Sequence, residues 1–322
     1  MPAFVPRRFL RGGHAQTIAN FLLPRRLSLP PGEDRLVEVE PGVKVLCHCH
    51  WQSDRRNVLT VIVVHGLEGS SDSQYMLGLA AKGTAMGMNV VRFNQRNCGG
   101  TDALSPTLYH SGRSADIAQV ARHLIEHDHI SRLALAGFSM GGNLVLKLAG
   151  EWGSQGPPQF RAVAAVCPAV DLAASADALH LPSNRLYEFY FLWKLRRRLL
   201  TKARLFPEMF DPARARGVKS LRDFDDRVTA YYSGFAGASD YYARAAAANV
   251  VDKIAVPALI LHAANDPFIR ILPETRQNLE SNPNIAFHET EDGGHCSFLA
   301  ATRDGDDGHW GETCVLEFLR KF

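Results

Sequence analysis

Residues Arg132–Lys147 read RLALAGFSMGGNLVLK. Four apolar residues, Leu133 to Ala136, lead into Gly137-Phe138-Ser139-Met140-Gly141-Gly142, after which Leu144, Val145 and Leu148 recur at helical spacing. The pattern predicts a strand, a very sharp turn and a helix. Glycines two positions either side of Ser139 suit such a turn, because side chains there would strike the neighbouring strand and helix. The turn holds the serine hydroxyl clear of the surface, and the start of the helix brings free backbone N–H groups and a positive dipole end close to it. Without the flanking strand and helix, Ser139 would be an incidental residue of a glycine-rich turn. With them it is a candidate nucleophile.

Working outward, the apolar run Asn57–Val64 (NVLTVIVV) has the continuous β-branched character of a strand buried on both faces. It runs into His65-Gly66-Leu67-Glu68-Gly69-Ser70, followed by a helix over Tyr75–Met86 and a strand over Asn89–Phe93. Ser114 is placed to cap a helix reaching about Asp128, with Asp116 in its first turn. A strand over Ala162–Val166 follows the serine-bearing helix. Upstream, alternation from Arg35 to His50 around Pro41-Gly42 predicts an antiparallel hairpin. Downstream, strands at Ala258–His262 and Ile285–Thr290 flank a helix near Pro273–Ser281, and a last helix ends at Phe322. Strands alternating with helices predict an α/β fold with a mostly parallel sheet. The alternation lapses between about Asp171 and Val251, where NRLYEFYFLWKLRRRLLTKARLF (Asn184–Phe206) is helical, aromatic and basic. The expected organisation is one domain, with a core over about 1–170 and 251–322 and a helical cap over about 171–250.

A serine hydroxyl is a poor nucleophile near neutral pH and needs a base, itself held by an acid. In this type of fold the order along the chain is nucleophile, acid, histidine. The strand LILHA ends in Ala264-Asn265-Asp266-Pro267-Phe268, and the next strand ends in Glu291-Asp292-Gly293-Gly294-His295. Both loops leave the carboxyl edge of the sheet, where ligands bind in open α/β sheets. Ser139, Asp266 and His295 therefore meet both order and placement. Asp171 is a sterically possible rival acid, Asp292 is too close in sequence to reach behind the ring, and His262 reads as a packed strand residue. The amides of Met140, just after the serine, and Leu67, in the loop after His65-Gly66, are the candidate oxyanion donors. His65 itself reads as a turn residue.

A serine at the turn selects ester, thioester or amide hydrolysis, and no motif calls for a metal, a nucleotide or a redox cofactor. Net charge is +3, too small to imply steering toward nucleic acid. No stretch approaches the roughly 18 consecutive apolar residues of a membrane span, and the first residues lack the order of a secretory signal, so a cytoplasmic location is expected. The six cysteines are scattered and read as reduced and buried. Cys47-His48-Cys49-His50 would place its cysteines and histidines on opposite faces of a strand, which argues against a metal cluster. In the cap, Tyr187, Phe189, Tyr190, Phe191 and Trp193 are candidates to line an acyl pocket. Lys194 and Arg196–Arg198 are expected to face phosphates or water, leaving peripheral contact with a membrane surface open.

The segments GGHAQTI, HGLEGS, FNQRNCGGTD with LYHSG, GFSMGGN, NDPFI and GGHCSF span nearly the whole chain. On these the chain resembles the α/β-hydrolase superfamily, and within it the AB-hydrolase-4 family of YheT-like hydrolases. The resemblance implies Ser139, Asp266 and His295 as the charge-relay residues, carboxylester hydrolysis with lipid-active relatives, and residues 1–32 as part of the domain. The expectation is a serine esterase or lipase-like enzyme acting on a small-molecule ester through an acyl-enzyme. A thioesterase, amidase or peptidase with the same residues, or a non-catalytic ligand receptor on the same scaffold, are the alternatives.

Overall fold

A computed structural model describes residues 3–302 and 307–322. After helix α1 (Gly13–Leu22) come strands β1 (Glu33–Glu40) and β2 (Val43–His50), then β3 (Thr60–Val64), α2 (Gln74–Ala85) and β4 (Asn89–Phe93). They are followed by α3 (Ser114–Asp128), β5 (Leu133–Phe138), α4 (Met140–Trp152) and β6 (Phe160–Val166). The next five helices are α5 (Leu172–Leu179), α6 (Arg185–Leu205), α7 (Leu221–Phe224), α8 (Tyr231–Ser233) and α9 (Ala238–Ala245). The chain closes with β7 (Ala258–Ala263), α10 (Pro273–Ser281), β8 (Ile285–Thr290) and α11 (Trp310–Leu319).

The strands form one sheet in the order β1-β2-β4-β3-β5-β6-β7-β8. From β4 to β8 every pair is parallel, and β1–β2 and β2–β4 are antiparallel, so the expected hairpin extends one edge. The sheet separates two apolar layers by the alternation of each strand. Ile62, Val64, Leu133 and Leu135 face α3 and α4 through Ile117, Val120, Leu144 and Leu148. Val61, Val63, Ala134 and Ala136 face α2 and α11 through Met76, Leu79, Val315 and Leu316. Strands covered on both faces need no polar alternation, which is why β3 and β5 read as unbroken apolar runs.

Three local expectations are corrected. β3 begins at Thr60 instead of Asn57, because the Asn57 side chain donates to Asp54 (3.0 Å) and closes a turn there. Arg113, not Ser114, precedes the first turn of α3; the Ser114 hydroxyl donates to Glu151 Oε2 (2.6 Å) and ties α3 to α4. α11 ends at Leu319, short of Phe322.

Register levels the ends of the parallel strands. Val64 pairs with Gly137, Phe138 with Val166, Val166 with Leu261, and Ala263 with Thr290. The segments starting at His65, Ser139, Cys167, Ala264 and Glu291 consequently leave the sheet along one edge. The helices between β6 and β7 build apolar clusters of their own. Leu192, Leu195 and Leu199 of α6 pack with Phe210, Phe224 and Val228, and Tyr241 and Tyr242 of α9 pack with Phe268 of the β7 loop. Cys47 and Cys49 are buried in the core, whereas His48 on the other face bonds Asp34 and His50 accepts from Arg92 Nε (3.2 Å). All six cysteines are buried and none is in a disulfide.

Candidate active site

Ser139 sits between β5 and α4 with φ 57° and ψ −121°, a backbone conformation that side chains rarely adopt. The turn is closed from both sides. A Cβ on Gly137 would lie 2.2 Å from the Gly141 carbonyl oxygen, and one on Gly141 would lie 2.3 Å from that of Val64 and 2.5 Å from that of His65. Both clashes are with backbone, so nothing except glycine fits.

The Ser139 Oγ is 2.9 Å from His295 Nε2, and His295 Nδ1 is 2.8 Å from Asp266 Oδ2. With Nδ1–H donating to the carboxylate, Nε2 is left to accept the serine proton. The other oxygen, Asp266 Oδ1, accepts the N–H groups of Phe268 (3.0 Å) and Ile269 (2.9 Å). Burial pushes the Asp266 carboxyl up, but His295 beside it and the Ile269 amide hold it below its ordinary value. Burial also works against a charged His295, yet the Asp266 carboxylate hydrogen-bonded to Nδ1 favours the protonated ring.

The rival acids are engaged elsewhere. Asp171 accepts from the Leu272 amide (2.8 Å) and the Thr275 hydroxyl (2.9 Å), holding the start of α10. Asp292 accepts from the Gly12 amide (3.0 Å) and the Asn265 side chain (2.7 Å). His262 is buried within β7.

Gly66 packs against the serine, since a Cβ there would come within 3.1 Å of Ser139 Cβ. In this turn the Gly66 amide donates to Tyr75 Oη (3.0 Å), that of Glu68 to Tyr109 Oη (3.0 Å) and that of Gly69 to the Gly66 carbonyl (3.1 Å). The Leu67 N–H is the member of the run left without a partner among the described residues. Met140, as the first residue of α4, has no intrahelical acceptor for its own N–H. The two side chains belong to one small apolar cluster with Cys98 and Tyr109. His65 is fully buried, which lowers its pKa to about 4. Its Nδ1–H donates to the Gly66 carbonyl (2.8 Å) and Nε2 accepts from the Gln95 amide (3.2 Å), so it is a neutral turn residue.

The basic run on α6 departs from expectation. Lys194 donates to the Glu68 carbonyl (2.8 Å), and Arg198 forms a two-pronged pair with the Glu68 carboxylate (2.7 and 3.0 Å). Arg196 bonds the Val218 carbonyl, and Lys202 is buried against Asn97 and Ser105. Arg197 alone of the group lies outward, over the Trp193 ring. The run thus clamps α6 onto the turn that carries Leu67, because Glu68 supplies a buried carboxylate to meet it. The aromatics divide as well. Tyr187 and Phe191 reach Phe268, whose ring is 4.3 Å from that of His295. Phe189 and Trp193 are exposed, and Tyr190 meets Phe21 of α1.

Sequence reasoning missed the residues that hold the histidine loop. Thr17 Oγ1 accepts the His295 amide (2.8 Å), and the buried Gln16 donates to the carbonyls of Leu10 and Leu299 and accepts the Leu299 amide (2.8 Å). The signal was present in GGHAQTI, but nothing local in that segment says which loop it meets. Cys167 and Cys296, read only as reduced and buried, lie beside the histidine: Cys296 Sγ is 3.9 Å from His295 Nε2.

The sequence profile of the α/β-hydrolase fold family matches residues 60–302. The YheT protein of Escherichia coli K12, provisionally named an esterase, is 30% identical over 305 residues, covering 93% of this chain and 88% of YheT. The mouse phospholipase ABHD3 is 30% identical over 257 residues, covering 80% of this chain; the match spans 60% of that longer protein. Among solved structures, an esterase of Pyrococcus furiosus superposes with a TM-score of 0.58 at 17% identity, over 93% of this chain and 98% of its own.

Proposed function

This chain belongs to the α/β-hydrolase fold family, in its AB-hydrolase-4-like branch, and on that premise we propose that it is a serine carboxylester hydrolase working through an acyl-enzyme. The observation that carries the reading is the unbroken relay from Ser139 Oγ through His295 to Asp266. In this mechanism Ser139 Oγ attacks the ester carbonyl while His295 Nε2 takes its proton. Asp266 keeps the ring in the required tautomer and stabilises the imidazolium. The N–H groups of Leu67 and Met140 receive the oxyanion, a contact whose loss typically costs on the order of 100- to 1000-fold per donor. His295 then protonates the leaving alcohol and activates the water that releases the acid.

Phe268, Tyr187 and Phe191 give the approach to His295 an aromatic lining, which favours an apolar acyl group. The names of YheT and the mouse phospholipase agree with an ester or lipid substrate. Residues 171–250 form the cap over this edge in our reading. Among the described residues no helix is long and apolar enough to cross a membrane. Hydrolysis of short p-nitrophenyl esters tests the assignment: Ser139→Ala should lower turnover by roughly four to six orders of magnitude. Retained activity in that variant overturns it, as does failure of a fluorophosphonate probe to label Ser139 in folded protein.

A further inference from the structure

Two cysteines converge on the catalytic edge from loops far apart in sequence. Cys167 directly follows β6 and Cys296 follows His295, and both hold positive φ angles, 42° and 57°. Neither is glycine, so the surrounding fold imposes those backbones and with them the direction of both sulfurs. The Cys296 amide donates to Cys167 Sγ (3.3 Å). The thiols themselves donate to carbonyls: Cys167 to that of Gly294 (3.6 Å) and Cys296 to that of Val166 (3.4 Å).

The sulfurs of Cys167 and Cys296 and a ring nitrogen of His295 all lie within 4.8 Å of one another. Across a tetrahedral zinc ion, bonds of about 2.3 Å to sulfur and 2.0–2.1 Å to nitrogen separate two sulfurs by ~3.8 Å and a sulfur from a nitrogen by ~3.6 Å. The observed 3.9 Å between Cys296 Sγ and His295 Nε2 is close to that separation. A further feature points to ligand chemistry. Cys167 Sγ also lies within 4.8 Å of a ring nitrogen of His262 and a carboxylate oxygen of Asp266. His262 is 5% exposed and its Nδ1 has no hydrogen-bond partner among the described residues. The Cys167 sulfur thus has a second set of ligand-type atoms around it, one of whose residues, His262, keeps a buried ring nitrogen unpaired among the described residues.

We propose that Cys167 Sγ, Cys296 Sγ and His295 Nε2 form a binding site for a soft divalent cation of the zinc type, which shuts off the esterase when occupied. Two thiols and an imidazole are the donor set such ions prefer over oxygen ligands. On binding, each thiol releases one proton to solvent, its S–H bond exchanged for a sulfur–metal bond, and nothing is oxidised or reduced. His295 contributes the Nε2 lone pair, which in the free enzyme accepts the Ser139 proton. With that lone pair on the metal, Ser139 keeps its proton and acyl transfer stops. Inhibition rests on the esterase reading, whereas cation binding does not.

The test separates the two with untagged, fully reduced protein freed of metal. Titration with Zn2+ is expected to give one ion per chain with release of protons, and Cd2+ to produce a thiolate-to-cadmium charge-transfer band. Ester hydrolysis should fall in proportion to occupancy and return on adding a chelator. Cys167→Ala and Cys296→Ala should each weaken Zn2+ binding by roughly 100-fold or more, beyond the 10- to 100-fold of outer-sphere partners. Each variant's rate with the ion is compared with its own rate without it. Absence of the cadmium band from the unsubstituted protein overturns the proposal whatever the variants do, and so does Zn2+ affinity unchanged in folded variants. Binding with the charge-transfer band but undiminished esterase activity overturns the inhibition alone. Normal binding in a protein with no esterase activity leaves the site standing and counts against the proposed function.

Discussion

Replacing Asp266 by asparagine separates the role of the carboxylate from its shape. Oδ1 accepts two backbone amides, Phe268 and Ile269, while Oδ2 faces His295 Nδ1 at 2.8 Å. An asparagine keeps its oxygen on the two N–H groups, so its NH2 points at Nδ1 and forces that nitrogen to accept. The ring proton then moves to Nε2, 2.9 Å from Ser139 Oγ, and the base becomes a donor. Flipping the amide restores the tautomer but sets an NH2 against two N–H donors. At about 1–3 kcal/mol for each donor left unpaired, that rescue costs about 2–6 kcal/mol. Loss of the correct tautomer in a serine–histidine–aspartate arrangement lowers kcat by ~10,000-fold, or about 5.4 kcal/mol at 1.36 kcal/mol per decade. The assay is steady-state hydrolysis of a short p-nitrophenyl ester, alongside thermal melting to show that the variant folds. Asp171→Asn is the control, because that carboxylate serves Leu272 and Thr275; its kcat should stay within about tenfold of the parent, since it lies outside the relay. If Asp266→Asn keeps kcat within tenfold, or Asp171→Asn falls as far, the relay as drawn is wrong.

Two other outcomes follow from the same structure. Thr17→Val keeps the side-chain shape but removes the acceptor of the His295 amide, so the histidine loop loses its anchor; kcat should fall by roughly 10- to 100-fold with KM little changed, the size of effect a displaced catalytic group produces. Asp225 is buried among the helices between β6 and β7, and burial pushes its pKa up to about 6, against the Tyr242 and Thr229 hydroxyls that lower it. Because the folded value lies above the unfolded one, the folded state binds more protons between pH ~4 and ~6, so stability is fully present below that window and is lost as pH rises through it. Across that window the stability difference amounts to about 3 kcal/mol. Thermal melts of Asp225→Asn and the parent should therefore agree near pH 4 and separate by pH 7 in favour of the variant; a difference that does not change with pH refutes the assignment.

The central strands β3 and β5 were readable because each is apolar on both faces and bounded by turn residues, so no distant information was needed to place them. The same holds for the turn at Ser139, where the glycine spacing answers to clashes within a few residues of chain. The basic run Lys194–Arg198 was not readable in the same way. Periodicity shows a charged stripe on α6, but not whether it meets water or a carboxylate, and the partner of Arg198 is Glu68, 130 residues away.

By itself the sequence determined the α/β alternation, the sharp turn at Ser139, and the short set of acids and histidines that end strands at one edge. Those follow from local sterics and from the periods of helix and strand. The sequence singled out Asp266 over Asp171 and Asp292 by chain order and strand-end placement, and the tertiary structure supplies the contact itself, 2.8 Å from His295 Nδ1. Only the tertiary structure decided that Thr17 and Gln16 brace the histidine loop, and that two cysteines 129 residues apart have their sulfurs within 4.8 Å of the same imidazole nitrogen. Each of these depends on strand register and loop packing, which bring side chains within 3–4 Å across distances in the chain over which no local preference acts.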